Sequence, residues 1–449
     1  MLRFYAGLAC RTAKLLGVGR RHRTRGLAPV VVSAALLASC AGAKIAVPAA
    51  PLNDDAHDVR FASEQRWGGS ATTRWEPVVA ADPGSRWVYQ MTTEQRPDFL
   101  LFRASSDGGR SWGATRHICR RGTRVPFQYD PQLAVGAGGV VDAVCLNGFS
   151  PGVAFAQSRD RGRTWSDAVR LDGMLRYSDK PTLVVAPSSN DLYVSFNARY
   201  ALYVAASHDG GATWEAPVRA TTAHQWYYSY GGTLAPDGSV WFAVDGESGR
   251  DQTGDGHVAL VTSADRGKTW RTIPFTVSRE GAPCHGHDCY PDFFTAQDTV
   301  AADRRGAYVF AYAKNASPQG PNALYVTHSA DGARWSKPFA VAAAGNATSP
   351  AVVAGPDAGD FRLVWQDNRN GAYAWNTWFA RTRDGGATWT QPARLSDGGA
   401  DAPYKHAAGY DFPFGDYLGL TVDGAGTDYV IWGEGAGIYY PGGTWWTRD

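Results

Sequence analysis

Carboxylates, arginines and tyrosines in the loops of this chain are the residue types that could act on a polar substrate. A carboxyl group can serve as a general acid or base when its surroundings move its pKa towards neutrality. An arginine can bind a carboxylate through two parallel hydrogen bonds, and a tyrosine can act as a nucleophile. Each candidate could equally be a solvated or salt-bridged loop residue. The candidates are Arg124, Asp130, Asp179, Arg199, Glu247, Arg369, Tyr410 and Glu434.

A second motif with possible chemistry runs from Cys284 to Cys289 and encloses His285 and His287. Two thiols and two imidazoles are ligand types that suit zinc or copper. In an exported chain, a disulfide between the two cysteines is the commoner outcome. We therefore predict no bound metal and no cofactor, and a metal site is the alternative.

A motif of eight residues containing Asp, Gly and Trp occurs six times, once with a residue missing. The copies begin at Ser105, Ser158, Ser207, Ser263, Ser329 and Thr382. The Asp carboxylate and the Ser or Thr hydroxyl can bond nearby backbone groups, and Gly permits a positive φ. A calcium loop would need several carboxylates within a dozen residues, whereas each copy has one. The motif therefore predicts a structural turn from which the Trp leaves on a strand.

The spacing of these motifs indicates the elements that position the candidate residues. Their aspartates recur at intervals of 49 to 66 residues, which is typical of a repeat architecture. Each motif follows a group of apolar strands. The chain contains seven segments that read as the first strand of a repeat, but only six motifs. The segment around residues 59–63 could supply the strand that the last repeat lacks. We predict an all-β propeller of four-stranded antiparallel blades, with seven blades favoured, six as the alternative, and the motifs in the turns between strands three and four.

Strand alternation then separates the two ends of such a ring. The motifs share one end with the turns between strands one and two. The long segments gather at the opposite end, at residues 245–257, 271–297, 313–322 and 390–416. Function on a repeat scaffold usually lies where insertions gather. All eight candidate residues are expected on that opposite face.

The motifs are Asp boxes, and at this spacing they resemble the repeats of the sialidase superfamily of β-propellers. The resemblance covers residues 60–449. The stretch 412–420, Phe-Pro-Phe-Gly-Asp-Tyr-Leu-Gly-Leu, resembles the end of exported bacterial proteins described as sialidase-like. The resemblance implies an active site on the face away from the boxes, and sialidases have six blades.

The resemblance also implies roles for the candidate residues. An arginine cluster would hold the substrate carboxylate, one Asp would protonate the leaving oxygen, and a Tyr assisted by a Glu would be the nucleophile. The clamp candidates are Arg124, Arg199 and Arg369; the acid is Asp130 or Asp179; the nucleophile is Tyr410 with Glu247 or Glu434. The Phe/Tyr-Arg-Ile-Pro motif that carries one clamp arginine in sialidases is absent.

Three functions remain open from the sequence. The first is an exo-glycosidase acting on sialic-acid-type or related glycans. The second is a non-catalytic surface propeller that binds a glycan or a protein. The third is a hydrolase or lyase for another substrate, assisted by a metal at His285 and His287. The net charge of +2 and the lack of a basic stripe argue against a nucleic-acid partner.

The N-terminal region predicts export. Four arginines between Arg20 and Arg25 precede an apolar run of 13 residues at 27–39, which is too short for a permanent membrane span. Leu37-Ala-Ser-Cys40 resembles a lipoprotein cleavage site, and an ordinary secretory signal cleaved nearby is the alternative. We predict a signal peptide at 1–40, a flexible tether at 41–58 and one propeller domain at 59–449. The protein would be extracytoplasmic and held to the membrane only by a lipid on Cys40.

Four cysteines remain in the mature chain, and an even count in an exported protein indicates disulfides. We predict the pairs Cys119–Cys145 and Cys284–Cys289.

Overall fold

The described residues of the chain form seven four-stranded antiparallel sheets in the computed structural model. The structure describes residues 48–52, 60–69, 72, 74–94, 99–119, 127–148, 152–186, 189–247, 254–280, 296–371, 374–397, 417–435 and 442–449. Within the described residues the one helix is a single 3₁₀ turn at Ala137–Gly139. The predicted all-β propeller with seven blades is confirmed, and the six-blade alternative is excluded.

The strands are numbered in chain order, and each blade uses them in sequence. The first strands of blades 1 to 7 are β2 (Arg74–Ala81), β6 (Gln128–Val135), β10 (Asp179–Val185), β14 (Trp226–Leu234), β18 (Asp298–Ala302), β22 (Ala347–Ala354) and β26 (Gly419–Val422). The second strands are β3 (Val88–Glu94), β7 (Val141–Asn147), β11 (Leu192–Ala198), β15 (Val240–Glu247), β19 (Tyr308–Asn315), β23 (Phe361–Asp367) and β27 (Asp428–Gly435).

The outer half of each blade is completed by two further strands. The third strands are β4 (Phe99–Ser105), β8 (Val153–Ser158), β12 (Ala201–Ser207), β16 (Gly256–Ser263), β20 (Asn322–Ser329), β24 (Asn376–Thr382) and β28 (Gly442–Arg448). The fourth strands are β5 (Arg116–His117), β9 (Val169–Arg170), β13 (Val218–Arg219), β17 (Arg271–Ser278), β21 (Phe339–Ala342), β25 (Ala393–Arg394) and β1 (Gln65–Trp67).

The ring closes because β1 pairs with β28, so blade 7 combines the first and the last strand of the chain that the structure describes. Closure removes the open sheet edges that an unpaired terminal blade would expose. The predicted closure by an N-terminal segment is confirmed, but the strand begins at Gln65 rather than within 59–63. Residue Ala62 still contacts the last strand, since its NH donates to the carbonyl of Arg448 at 2.8 Å.

Apolar packing lies between the blades. Seven separate hydrophobic clusters fill the seven interfaces between neighbouring blades. Middle strands are consequently buried on both faces, and every residue of β11 from Leu192 to Ala198 is buried. This double burial explains why these strands are nearly continuous apolar runs rather than alternating patterns.

The Asp boxes lie between the third and fourth strands, as predicted, and close a tight turn. In blade 3 the Oδ1 of Asp209 accepts hydrogen bonds from the NH of Thr213 at 2.8 Å and from the hydroxyl of Ser207 at 2.9 Å. The hydroxyl of Thr213 donates to Oδ2 at 2.6 Å. Hydrogen bonds from Thr213 lower the pKa of Asp209 to about 2.

Each box also joins its blade to the preceding one. In blade 2, Trp165 packs edge-on against Phe102 of blade 1, with ring centroids 5.0 Å apart. Gly162 of the same box has φ +82°, and a Cβ there would lie 2.5 Å from the Phe102 ring. Glycine is therefore required both for the backbone conformation and for the close approach of the blades.

Two further predictions concern the cysteines and the tether. Cys119 and Cys145 form the predicted disulfide. The predicted pair Cys284–Cys289 lies outside the described residues. Within the segment predicted as a tether, the NH of Ala50 donates to the carbonyl of Ala340 in β21 at 2.9 Å.

Candidate functional site

The two ends of the propeller carry different structures. At one end, here called the box face, the NH of Gly108 in the first box donates to the carbonyl of Arg86 at 2.9 Å. The boxes therefore share this end with the turns between first and second strands. The other end, here called the open face, carries the turns between second and third strands and the crossings between blades. First strands lie innermost and begin at the open face, so their N-terminal residues surround its central opening.

Four first strands contain the same irregularity near the open face. Glu76, Asp130, Lys180 and Ser349 each precede a proline and have φ between 48° and 51°. The strand register shifts at each of these positions. A bulge of this kind redirects a side chain, and a left-handed backbone is costly for a residue other than glycine. Strained positions of this type occur preferentially at functional sites.

The bulges of blades 1 to 3 bring three charged side chains together. Lys180 Nζ lies 3.0 Å from Asp130 Oδ1 and 3.9 Å from Glu76 Oε1. Oε2 of Glu76 also accepts a hydrogen bond from the NH of Asp130 at 3.1 Å. Only 1%, 3% and 7% of Glu76, Asp130 and Lys180 are exposed. Two carboxylates thus share one ammonium group with little access to water.

This environment controls the protonation of Asp130. Burial raises its pKa to about 6, the ammonium of Lys180 opposes that shift, and neighbouring Asp179 adds to it. A carboxyl group with a pKa in this range can donate or accept a proton near neutral pH. The adjacent ammonium can stabilise negative charge that develops on a reacting oxygen.

Asp130 and Lys180 form part of the wall of a cavity on the propeller axis. The cavity has a volume of about 160 Å³ and is lined by residues from all seven first strands or the residues just before them. Tyr230 and Tyr417 line it as well and add aromatic surface to its wall. A cavity of this size can hold a group about as large as benzene, so the rest of a longer ligand would lie on the open face.

A second group of carboxylates lies between blades 4 and 5. Asp245, near the end of β15, and Asp298, at the start of β18, are both fully buried. None of their four oxygens hydrogen-bonds to another described residue. Burial raises the pKa of both groups well above the usual value, and for Asp298 the proximity of Asp245 raises it further. Glu247, a predicted site residue, is the last residue of the same strand as Asp245 and is also buried.

Arg369, a predicted clamp, is bound within its own blade. Its Nε lies 2.9 Å from Oδ1 of Asp367 and its Nη2 lies 2.6 Å from Oδ2. The guanidinium also stacks over Trp378 at 3.9 Å from the ring centroid. This bidentate pair uses the donors that a substrate carboxylate would need.

Glu434, the other carboxylate predicted to assist the nucleophile, accepts a hydrogen bond from Trp432 Nε1 at 3.0 Å. Burial raises the pKa of Glu434, and Asp397 raises it further. Nearby Glu64 has its pKa raised to about 9 by burial, by a hydrogen bond with Asp397 and by Glu434. The open face therefore carries a third carboxylate cluster at blades 6 and 7.

The six predicted site residues that the structure describes lie in five different blades. Asp130 and Asp179 lie together at the central opening, whereas Arg199 is in blade 3 and Arg369 in blade 6. Blades 4 and 5 lie between the blades that carry these two arginines. Glu247 belongs to blade 4 and Glu434 to blade 7. Arg124 and Tyr410 lie outside the described residues.

Sequence reasoning missed Glu76 and Asp298 as site residues. A signal for Glu76 was available, because it occupies the position before proline in a first strand, as Asp130 and Lys180 do. Asp298 gave no such signal, since it reads as the first residue of an ordinary apolar strand.

In the part of the chain that the structure describes, no three His, Cys, Asp or Glu side chains are arranged to hold a metal ion. The motif from Cys284 to Cys289 lies outside that part. Among the same described residues no helix has the length and apolar character needed to cross a membrane.

Comparisons with solved structures identify the fold. An ulvan lyase bound to -[GlcA(1-4)Rha3S]- has a TM-score of 0.55 at 13% identity, over 86% of this chain and 98% of that one. A protein of unknown function from Dyadobacter fermentans gives 0.50 at 14% identity, over 87% and 98% of the two chains. The NanB sialidase from Streptococcus pneumoniae gives 0.46 at 10% identity, over 87% and 70%. The fold is a β-propeller, as it is in the ulvan lyase.

At these identities the similarity shows the fold alone, and the sialidase match, below a TM-score of 0.5, carries no further argument. No protein-family model and no curated protein matches the sequence.

Proposed function

We propose that this protein binds a glycan at the central opening of the open face and cleaves a glycosidic bond there. The observation that carries the proposal is the nearly buried Asp130 carboxyl, 3.0 Å from the ammonium of Lys180 at the axial cavity, where burial raises the pKa of the carboxyl. A carboxyl group in this state can protonate a leaving oxygen or remove a proton, whichever the bond cleavage requires. The ulvan lyase with the same fold acts on a polysaccharide, which supports a glycan substrate, although a fold alone does not determine a reaction.

The sialic-acid-type exo-glycosidase is one specific form of this proposal. It would need a clamp of arginines and a tyrosine nucleophile, and Arg369 is already paired with Asp367. Arg124 and Tyr410 would have to complete the site. A lyase, or a glycosidase for another sugar, is the other specific form of the proposal.

A non-catalytic glycan-binding propeller is the second candidate. The observation that favours it is the 3.0 Å contact between Lys180 Nζ and Asp130 Oδ1, both nearly buried, because the same geometry occurs in structural ion pairs. In that case Asp130 would hold the inner strands together and take no part in a reaction.

Turnover assays distinguish these functions. The panel consists of fluorogenic α-sialoside, α-L-arabinofuranoside and β-glucuronide, together with polyuronate and arabinan polysaccharides followed by reducing ends and unsaturated products. We expect turnover by the wild type that falls about 10²–10⁴-fold in Asp130→Asn. Asp209→Asn, a box variant on the other face, is the control and should keep its rate. Binding without turnover of any panel member would favour the non-catalytic propeller.

Export is a further part of the proposal. Leu37-Ala-Ser-Cys40 motivates it, and the disulfide Cys119–Cys145 supports it, because disulfides persist in oxidising compartments. Mass spectrometry of the mature N-terminus is the test. A lipidated Cys40 is expected, and an unmodified residue elsewhere at the start would contradict lipidation.

A further inference from the structure

A row of aromatic side chains leads from the edge of blade 3 to the central opening. Tyr200, at the tip of the turn between β11 and β12, lies 4.7 Å from His224 and 5.7 Å from Trp226, measured between ring centroids. Trp226 lies 6.4 Å from Tyr228, and Tyr228 lies 6.0 Å from Tyr230. We call these five residues the aromatic track.

Strand geometry explains the inner part of the track. Trp226 and Tyr228 occupy alternate positions of β14, so their side chains project to the same side of the strand, and a register shift between Tyr228 and Gly231 places Tyr230 at an irregular position. Tyr230 lines the axial cavity, while Tyr228 is fully buried beneath the row. At the outer end His224 is exposed, and Tyr200 and Trp226 are partly exposed. The accessible rings are therefore Tyr200, His224 and Trp226 at the outer end and Tyr230 at the cavity, and the buried Tyr228 packs between Trp226 and Tyr230.

The outer end of the track rests on an unusual turn. Arg199 and Tyr200 are the two central residues of a two-residue hairpin, and both have positive φ, at 51° and 59°. Such turns favour Asn-Gly, because left-handed backbone is unfavourable for large side chains. The positive φ of Arg199 and Tyr200 therefore lowers the stability of the turn. In return, the turn exposes the Arg199 guanidinium and part of the Tyr200 ring to solvent. When a turn has unfavourable residues and no structural benefit compensates for them, the position is expected to be functional.

Arg199 adds charge specificity to the track. The side chain is exposed, and no ion pair or hydrogen bond joins its guanidinium to another residue in the described ranges. The other predicted clamp for which the structure gives contacts, Arg369, is already bound to Asp367. The donors of Arg199 are therefore available for an anionic group, which arginine can bind through two hydrogen bonds.

We infer that the aromatic track and Arg199 form a binding site for an extended glycan that carries anionic sugars. This inference rests on the proposed function and specifies its substrate class. Sugar rings present flat arrays of C–H groups that stack on aromatic rings, and the accessible rings Tyr200, His224 and Trp226 could each contact one sugar outside the cavity that Tyr230 lines. The anionic group on Arg199 is a carboxylate or a sulfate ester. A single terminal sugar would leave the outer rings unused.

The experiment measures binding of saccharide probes by calorimetry and tryptophan fluorescence. The probes are a galacturonate hexasaccharide, a sulfated heparin-derived hexasaccharide, an uncharged arabinohexaose and the matching disaccharides. The wild type should bind at least one anionic hexasaccharide at least tenfold more tightly than it binds arabinohexaose. It should also bind that hexasaccharide at least tenfold more tightly than the disaccharide of the same sugars. The preferred anion separates carboxylate from sulfate recognition.

A matched pair of variants separates binding from folding. Replacing Arg199 and Tyr200 together by Asn-Gly removes both side chains and supplies the residues that this turn favours. This variant should melt at a higher temperature than the wild type and yet lose at least tenfold in affinity for the anionic hexasaccharide. Trp226→Ala should lose affinity in the same way. Arg305→Gln, which removes an exposed arginine from a turn on the box face, should retain the wild-type affinity.

The outcomes also distinguish this inference from the proposed function. Equal affinity for hexasaccharide and disaccharide, or full affinity in the Asn-Gly variant, would overturn the inference even if glycans are cleaved. Loss of affinity in that variant without turnover by the wild type would support the track and contradict cleavage. A melting temperature below that of the wild type in the Asn-Gly variant would refute the argument from the turn. A protein ligand that the track binds while it binds none of the saccharides would also overturn the inference.

Discussion

Replacing Asp130 by Asn tests whether burial or the ion pair with Lys180 controls this carboxyl group. Burial raises its pKa from an ordinary value of 3.8 to about 6. The folded state then binds the proton more tightly than the unfolded state, so this group lowers the unfolding free energy as the pH rises from about 4 to 6. A pKa difference of about two between the folded and unfolded states corresponds to a change of about 3 kcal/mol in unfolding free energy over the full titration of the group.

The measurement is urea unfolding of wild type and Asp130→Asn at several pH values from 4 to 8. The difference in unfolding free energy should move in favour of Asn by about 2 kcal/mol between pH 4 and pH 6, by a few tenths of a kcal/mol more up to about pH 7, and then stay level. Lys180→Met is the second variant to be measured, because it leaves the carboxylates of Glu76 and Asp130 without the ammonium group that they share. Removing one partner of a buried pair costs about 3–5 kcal/mol, and we expect that cost to be larger at pH 8 than at pH 5.

The opposite pH trend would refute this reasoning. If the wild type gained stability relative to Asp130→Asn as the pH rose, the attraction of Lys180 would exceed the effect of burial. Asp130 would then be an ordinary structural ion pair with a low pKa. Its assignment as an acid or base would lose its physical basis.

Two further predictions concern the scaffold. Replacing both Cys119 and Cys145 by Ser opens a covalent loop with a sequence separation of 26 residues and should lower the unfolding free energy by about 3.5 kcal/mol, matching the reduced wild type in urea unfolding. If the reduced wild type and the double variant differ markedly, the loss comes from packing and not from the bond. Gly162→Ala should cost about 2–4 kcal/mol because its Cβ would strike Phe102, whereas Gly138→Ala, at a similar φ with open space around it, should cost about 1 kcal/mol in thermal unfolding. Equal losses would show that backbone strain alone explains the requirement for glycine.

The repeated features of the fold could be predicted from the sequence because each is local. Every Asp box closes its own turn, as the contacts between Asp209 and Thr213 show. The sequence contains seven first strands but only six boxes, so the last blade lacks its fourth strand. This difference predicted that a segment near the N-terminus supplies it. The exact strand, Gln65–Trp67, could not be placed, because a three-residue strand carries too little periodicity to separate it from 59–63.

The site was harder to predict because it depends on contacts between blades. Glu76 and Lys180 are 104 positions apart, and only ring geometry brings their inner strands together around Asp130. Arg369 illustrates the opposite difficulty: a loop arginine near the open face looks available in the sequence, but its side chain folds back onto Asp367. Whether two nearby charged residues pair in this way depends on their side-chain conformations. The spacing of the residues in the sequence does not predict it.

Hydrogen–deuterium exchange tests most directly the central claim that a glycan binds at the central opening of the open face. Exchange of the wild type is measured with and without the tightest-binding saccharide of the panel. Slower exchange is expected in peptides covering residues 127–132 and 224–232, with the box segments 105–112 and 207–214 unchanged. Protection confined to the box segments, with free exchange around Asp130 and Trp226, would contradict the assignment of the site.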